Sequence, residues 1–154
     1  MEKKEIRKLV FARRKEQTAE SLQEKSQKIC ERIIRMEAFQ KADCIYTYMD
    51  YNGEVCMRSL IEEAWRLGKK VAAPKVDGEE MDYYYISSYA DVHPGYFHIP
   101  EPDAVNPAQD EEALLIVPGV GFDAKRHRCG YGKGFYDRYL ADKPALWVRT
   151  IAVG

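Results

Sequence analysis

The run Leu114-Leu115-Ile116-Val117-Pro118-Gly119, followed a little further on by Arg128-Cys129-Gly130-Tyr131-Gly132-Lys133-Gly134-Phe135-Tyr136-Asp137-Arg138, decides how this chain is read. Its first part is a short apolar stretch closed by a Pro-Gly turn, the pattern of a buried strand. Its second part sets glycines at 130, 132 and 134 among Arg128, Lys133, Asp137 and Arg138, and leads into a helix-like segment over 134–141. Glycine lets backbone approach a ligand closely and take up positive φ. Backbone N–H groups at a helix start, with Lys and Arg nearby, favour anionic oxygens. The stretch therefore reads as a phosphate cradle with Arg128 and Lys133 as its cations. A carboxylate at Asp137 can hold Mg2+, which takes hard oxygens and bridges to substrate phosphates. A plainer reading stands beside this one: a glycine-rich strand-to-helix turn in which Asp137 caps the helix or pairs with Arg138. The letters alone do not separate the two.

Working outward, strands and helices alternate. Residues 2–16 predict a helix of good helix formers with Ile6, Leu9 and Val10 on its apolar side. Its cations (Lys3, Lys4, Arg7, Lys8, Arg13, Arg14, Lys15) outnumber its acids (Glu2, Glu5, Glu16), which by itself describes a solvated basic face. Lys3, Lys4 and Arg7 also share a face and could reach an anion. Thr18 and Ser21 are candidate N-caps, Ser21-Leu22-Gln23-Glu24 having the letters of a capping box. A second helix runs from there to about Phe39, with Leu22, Ile29, Ile33, Ile34 and Met36 on its apolar face. A strand over 43–49, a turn at Asp50-Tyr51-Asn52-Gly53 and a third helix over 54–67 follow, the helix stopping at Gly68. Lys70 to Ala73 is a strand ended by Pro74, and residues 81–86 are another, with Tyr84 on the face opposite to Tyr83 and Tyr85. Residues 87–110 read as a proline-rich loop, and residues 146–153 as a last strand. The alternation predicts an α/β layered domain with a largely parallel sheet. In such sheets ligands sit beyond the carboxyl ends of the strands, where the turn at 50–53 and the loop 118–133 both fall.

Bulk properties narrow the class. A chain of 154 residues is enough for one domain with a sizeable core, and its net charge of -1 argues against nucleic acid as partner. No apolar run approaches the length of a membrane span, and the charged start predicts a cytosolic protein. Cys30, Cys44, Cys56 and Cys129 show no C-x-x-C spacing, which argues against zinc and disulfides. Oligomeric state is not legible, and a monomer is the expectation. Gly119-Val120-Gly121-Phe122-Asp123-Ala124 fits a dinucleotide fingerprint in letters, but no helix pattern follows it. Lys133 is followed by Gly134 rather than Ser or Thr, so the common phosphate loop is excluded as well. His93 and His98 read as surface residues, and His127 has no nucleophile in a recognisable arrangement with it. Glu54 reads as an acid at a helix start. Cys129 reads as a small apolar side chain under the cradle.

Taken together, Pro118-Gly119-Val120-Gly121-Phe122-Asp123 and the stretch from Arg128 to Arg138 resemble the signature of the 5-formyltetrahydrofolate cyclo-ligase family. Lys3-Lys4-Glu5-Ile6-Arg7 resembles that family's basic opening. Met49-Asp50-Tyr51-Asn52-Gly53-Glu54-Val55 resembles its folate-contacting turn, and Ile99-Pro100-Glu101-Pro102 its Glu-Pro step. The resemblance covers essentially the whole chain, 1–154, as one domain. It implies a three-layer α/β/α, Rossmann-like sandwich with a mixed, largely parallel sheet, and an ATP- and Mg2+-dependent reaction. In that reaction the formyl oxygen of 5-formyltetrahydrofolate is phosphorylated, the other folate amine attacks the activated carbon, and 5,10-methenyltetrahydrofolate, ADP and phosphate result. By the same resemblance Lys3, Lys4, Glu5, Ile6 and Arg7 reach ATP, together with Arg128, Cys129, Gly130, Tyr131, Gly132, Lys133, Gly134, Phe135 and Tyr136. Lys133 and Arg128 are the catalytic pair, Asp137 is the Mg2+ ligand, and Met49, Glu54, Tyr131 and Phe135 contact the folate. The family's chain continues beyond the strand that ends here at Gly154, with a further acidic residue associated with the metal. The metal site expected within 1–154 is accordingly incomplete. Two other classes compete: a phosphate-ligand enzyme of similar fold, such as a sugar-phosphate isomerase, and a non-catalytic folate- or nucleotide-binding module.

Overall fold

The structure is a computed structural model that describes residues 2–51, 53–95, 99–119, 121–122, 128–129 and 135–153. A five-stranded sheet forms its middle layer, with β1 (Cys44–Thr47) at the centre. β2 (Lys70–Asp77) and β6 (Leu114–Pro118) flank β1, both parallel to it, with Ile45 in register with Val71 on one side and Leu114 on the other. β9 (Thr150–Val153) continues the parallel arrangement beyond β6, and β3 (Glu80–Ile86) closes the other edge antiparallel to β2. Every residue of β1 and β6 is buried. That explains why both are short apolar runs rather than alternating ones: a parallel strand is covered on both faces.

Successive side chains alternate between two cores. Ile45, Val71, Ala73, Leu114 and Ile116 lie in one, under the helices α2 (Ala19–Ile34), α3 (Glu37–Lys41) and α4 (Arg58–Arg66). Cys44, Tyr46, Ala72, Leu115 and Val117 lie in the other, under α5 (Phe135–Leu140) and α6 (Pro144–Trp147). Three α/β/α layers result, as the resemblance implies, around the largely parallel sheet that the alternation of elements predicts. Tyr83 stacks on Tyr46 at 4.7 Å between ring centroids and meets Tyr139 at 5.0 Å. Tyr83 and Tyr85 share this core, as the period-two reading of β3 predicts. α4 is too short to hold as an isolated helix. It is held by full burial of Leu60, Ile61 and Ala64, of which Leu60 and Ile61 are worth about 2 kcal/mol each. Gly68 stops α4 as predicted. With φ at 77°, its N–H donates to the Trp65 carbonyl at 3.0 Å and the Lys69 N–H donates to the Ala64 carbonyl at 2.9 Å.

Several element boundaries differ from the sequence reading. α2 ends at Ile34, where Arg35 caps it, and the chain restarts as α3 after an extended Met36. The break re-aims Phe39, which is fully buried, and leaves Met36 exposed instead of on the apolar face. Thr18 alone caps α2, its hydroxyl accepting from the Ser21 N–H at 3.0 Å, so Ser21 sits inside the first turn. Pro74 does not end β2. Beyond Ala72 no register with β1 continues, and a residue without an N–H is tolerated on that open side. The segment 87–110 is not all loop: Ser88 and Asp91 box a 3-10 turn at Tyr89–Asp91, and β4 (Val92–Pro94) pairs antiparallel with β5 (Pro100–Pro102). Of the stretch 146–153, the first part belongs to α6 and only Thr150–Val153 is strand. The segment after β6 carries a further two-residue ladder, β7 (Gly121–Phe122) with β8 (Arg128–Cys129).

Candidate functional site

Connections from β1 run towards β2 and those from β6 towards β9, so the strand order reverses between β1 and β6. A crevice beyond the carboxyl ends of two such strands is where open α/β sheets bind ligands. Both segments singled out from the sequence leave the sheet there, the turn after β1 and the chain after β6.

The turn after β1 is built by its own side chains. The Tyr48 hydroxyl donates to the Val55 carbonyl at 2.6 Å, and the Asp50 carboxylate accepts from the Met57 N–H at 3.1 Å. Glu54 accepts from the Tyr51 N–H at 2.8 Å. Two ties anchor the turn to α2: the Cys56 N–H donates to Ser26 Oγ at 2.8 Å, and the Cys30 thiol donates to the Cys56 carbonyl at 3.3 Å. These bonds hold residues 54–57 out of the helix, which begins at Arg58 rather than at Glu54. Glu54 is therefore not an acid at a helix start. Its side chain belongs to the turn and is 9% exposed, as is Met49, which packs into the α2/α4 core. Burial, and then the neighbouring Glu54 and Asp50 carboxylates, push the Tyr48 phenol well above its ordinary range, so it stays a neutral donor. Burial likewise pushes the thiols of Cys30, Cys44 and Cys56 up, which excludes them as ready nucleophiles.

α1 (Lys3–Glu16) lies across the other side of the crevice. It has no fully buried residue; Ile6, Arg7, Val10, Phe11 and Arg14 are half-buried and Lys3, Lys4 and Glu5 are exposed. It packs against β7 and β8, so the basic N-terminal helix and the backbone at Arg128 and Cys129, far apart in sequence, come together in space. Arg14 donates through Nη2 to the Gly119 carbonyl at 3.5 Å, and its stem lies against Gly53, whose φ is 80°. Neither Arg14 nor Gly53 stood out from the basic run and the turn in which they sit. A cleft of about 490 Å³ opens between α1 and α2 beside Gly53 and Val55, with Arg13, Arg14 and Lys25 on its walls.

On the far side, Phe135 and Tyr136 at the start of α5 pack half-buried against the second core. Arg138 donates through Nε and Nη2 to the Glu79 carbonyl at 3.2 and 2.9 Å, fixing α5 to the β2–β3 hairpin. Asp137 is exposed in the first turn of that helix. Among the described residues no three His, Cys, Asp or Glu side chains gather into a metal cage. Gly130, Tyr131, Gly132, Lys133 and Gly134, with His98 and His127, lie outside the described residues. Glu101 of the Pro-Glu-Pro strand is buried, its carboxylate 3.3 Å from Lys75 Nζ. Gly95 passes so close that a Cβ there would stand 2.5 Å from the Glu101 side chain. His93 is exposed, as expected, with Asp103 at 3.5 Å.

Fold and site together define a three-layer α/β protein whose ligand crevice lies at the reversal of a largely parallel sheet, flanked by a basic helix. The profile of the 5-formyltetrahydrofolate cyclo-ligase family matches residues 1–153, and the chain belongs to that family. Over 142 residues it is 30% identical to the 5-formyltetrahydrofolate cyclo-ligase of Escherichia coli, covering 86% of this chain and 76% of that one. It is 33% identical over 120 residues to the probable 5-formyltetrahydrofolate cyclo-ligase of Schizosaccharomyces pombe, covering 73% of this chain. The chain spans 59% of that yeast protein and 64% of the Caenorhabditis elegans relative, less than two thirds of either. The solved structure of Aquifex aeolicus 5,10-methenyltetrahydrofolate synthetase superposes with a TM-score of 0.81 at 31% identity, covering all of this chain and 78% of the other.

Proposed function

We propose that this chain carries the catalytic crevice of a 5-formyltetrahydrofolate cyclo-ligase, converting 5-formyltetrahydrofolate to 5,10-methenyltetrahydrofolate at the expense of ATP. The observation that carries the reading is the packing of α1 against β7 and β8 next to the turn after β1. It supports one site in which the basic helix and the segment from Arg128 hold a triphosphate while the turn with Met49 and Glu54 holds the folate. Family membership supports the same assignment.

The chemistry asks for these groups. A formamide oxygen leaves poorly, and transfer of the γ-phosphoryl group to it creates a phosphate leaving group and an electron-poor carbon. N10 attacks that carbon and loses its proton, phosphate departs with the oxygen, and the five-membered ring closes. Phosphoryl transfer is governed by positioning and charge neutralisation rather than by covalent help from the protein. Lys3, Lys4 and Arg7, with Glu5 and Ile6 beside them on α1, supply the cations of one wall. Arg128 and Lys133 are assigned to the same triphosphate on the strength of the family resemblance, with the residues from Arg128 through Tyr136 as its second wall. On the same reading Met49, Glu54, Tyr131 and Phe135 are the residues that contact the folate. The Glu54 carboxylate accepts an N–H from its own turn, which fixes it beside Met49 on the side assigned to the folate. Asp137 is an exposed carboxylate in the first turn of α5, the kind of hard single ligand that Mg2+ accepts when phosphates complete its shell. Bound there, Mg2+ would neutralise phosphate charge.

The test mixes the protein with 5-formyltetrahydrofolate, ATP and Mg2+ and follows the methenyl chromophore and ADP together. The two are expected in equal amounts, each requiring the other substrate. ADP formed without folate dependence overturns the reading. Thermal stabilisation by folate or nucleotide with no turnover assigns a binding module instead.

A further inference from the structure

We propose that Arg14 is a positioning residue of this site, a strut that sets α1 across the turns following β1 and β6 and so aims Lys3 and Arg7 at the triphosphate. The inference rests on the proposed function for its consequence, and on geometry alone for the strut.

α1 needs such a strut. None of its residues is fully buried, so its seat on the body depends on a few half-buried side chains. One step of i, i+4 and two further turns along the helix place Lys3, Arg7, Val10 and Arg14 in one stripe. Where the stripe reaches the crevice, Arg14 touches both walls. Its Nη2 donates to the carbonyl of Gly119, the residue that leaves β6. Its Cβ and Cδ lie 3.2 Å, and its Cγ 3.4 Å, from where a Cβ on residue 53 would stand. Gly53 thus serves twice: it takes a φ of 80°, and it leaves the groove in which the arginine stem lies. The guanidinium also sits 5.7 Å from the Phe11 ring centroid, which restrains it from within its own helix. A side chain spanning two turns from one helix fixes their separation. On the functional reading those turns belong to the folate side and the nucleotide side. Lysine keeps the stem and charge but loses the planar fork; methionine keeps only the stem.

The experiment compares wild type, Arg14→Met and Arg14→Lys. In Arg14→Met, kcat is expected to fall about 10-fold and the KM for ATP to rise by a similar factor, as displacement of a positioning element by an ångström does. The KM for folate and the melting temperature stay close to wild type, and Arg14→Lys recovers part of the loss. Wild-type kcat and KM for ATP in Arg14→Met overturn the proposal, as does a loss that only tracks a fallen melting temperature with KM unchanged. A double-mutant cycle of Gly53→Ala with Arg14→Ala is expected to be non-additive, and additive losses count against the contact. Hydrogen exchange reads the strut without turnover: in Arg14→Met the α1 amides are expected to exchange several-fold faster, and unchanged exchange overturns the strut. If wild type makes no ADP the functional reading falls, while the cycle, scored by stability, and the exchange data still decide the strut.

Discussion

Lys133 and Asp137 carry the sharpest expectations at the scale of single residues. Lys133→Ala is expected to lower turnover by about 100-fold or more, the scale at which a charge aimed at a transferring group matters. Its circular dichroism spectrum and melting temperature stay those of wild type, because a lysine that serves a ligand is not part of the core. A melting temperature that falls along with activity assigns the lysine to the fold instead. Asp137→Asn is expected to raise the Mg2+ concentration needed for half-maximal ADP release while leaving nucleotide affinity in the absence of metal unchanged. Superimposable metal titrations of the two proteins remove Asp137 from that role. The carboxylate stands exposed in the first turn of α5, so the substitution removes a charge without uncovering any buried surface.

At the scale of elements, what was legible and what was not divide largely along sequence distance. The stop of α4 at Gly68 is local: a glycine, a positive φ and two hydrogen bonds within one turn, all written in neighbouring letters. It makes its own prediction. A Cβ at Gly68 meets nothing within 4 Å, so Gly68→Ala costs only the backbone strain of about 1 kcal/mol. Gly68→Asn costs less, because asparagine tolerates the left-handed region. Urea unfolding of the three proteins checks the order, and equal midpoints would mean the turn relaxes freely. The start of the same helix was not legible. Residues 54–57 have helical letters, yet Ser26 and Cys30 reach Cys56 from 30 and 26 residues away and hold it out of the helix. The pairing of β4 with β5 was hidden for another reason: it is local, but prolines at 94, 100 and 102 read as loop, and only the buried Glu101 shows what the segment packs against. In the candidate site, the basic character of α1 was legible by residue type, and the structure sets that helix against β7 and β8. The part played by Arg14 was not, because only the fold brings Gly53 and Gly119 to either side of one side chain.

For the whole molecule, burial of thiols sets an alkaline limit. Burial pushes Cys30 up to about 11 and Cys44 up to about 12, against an ordinary value of 9.0. Above pH 9 the unfolded chain gives up thiol protons that the folded chain keeps, so the unfolded state gains. Stability present below pH 9 is therefore lost as pH rises towards the folded values, by about 1.4 kcal/mol per pH unit for each thiol. Urea midpoints measured from pH 7.5 to 10.5 are expected to hold up to about pH 9 and to fall above it, and Cys30→Ala is expected to lessen the fall; a level profile above pH 9 in wild type refutes the coupling. The central sheet has a kinetic side too. β2 and β3 pair as a hairpin and β1 meets β2 across a single helix, whereas Ile45 meets Leu114 only after the longest excursion of chain between neighbouring strands. Long closures slow the steps that need them. The junction of β1 with β6 is that closure, and it is also the floor of the crevice, so a chain arrested before it joins would hold a hairpin, a helix pair and no place for a ligand. Recovery of ligand binding during refolding then times the last assembly step rather than the first.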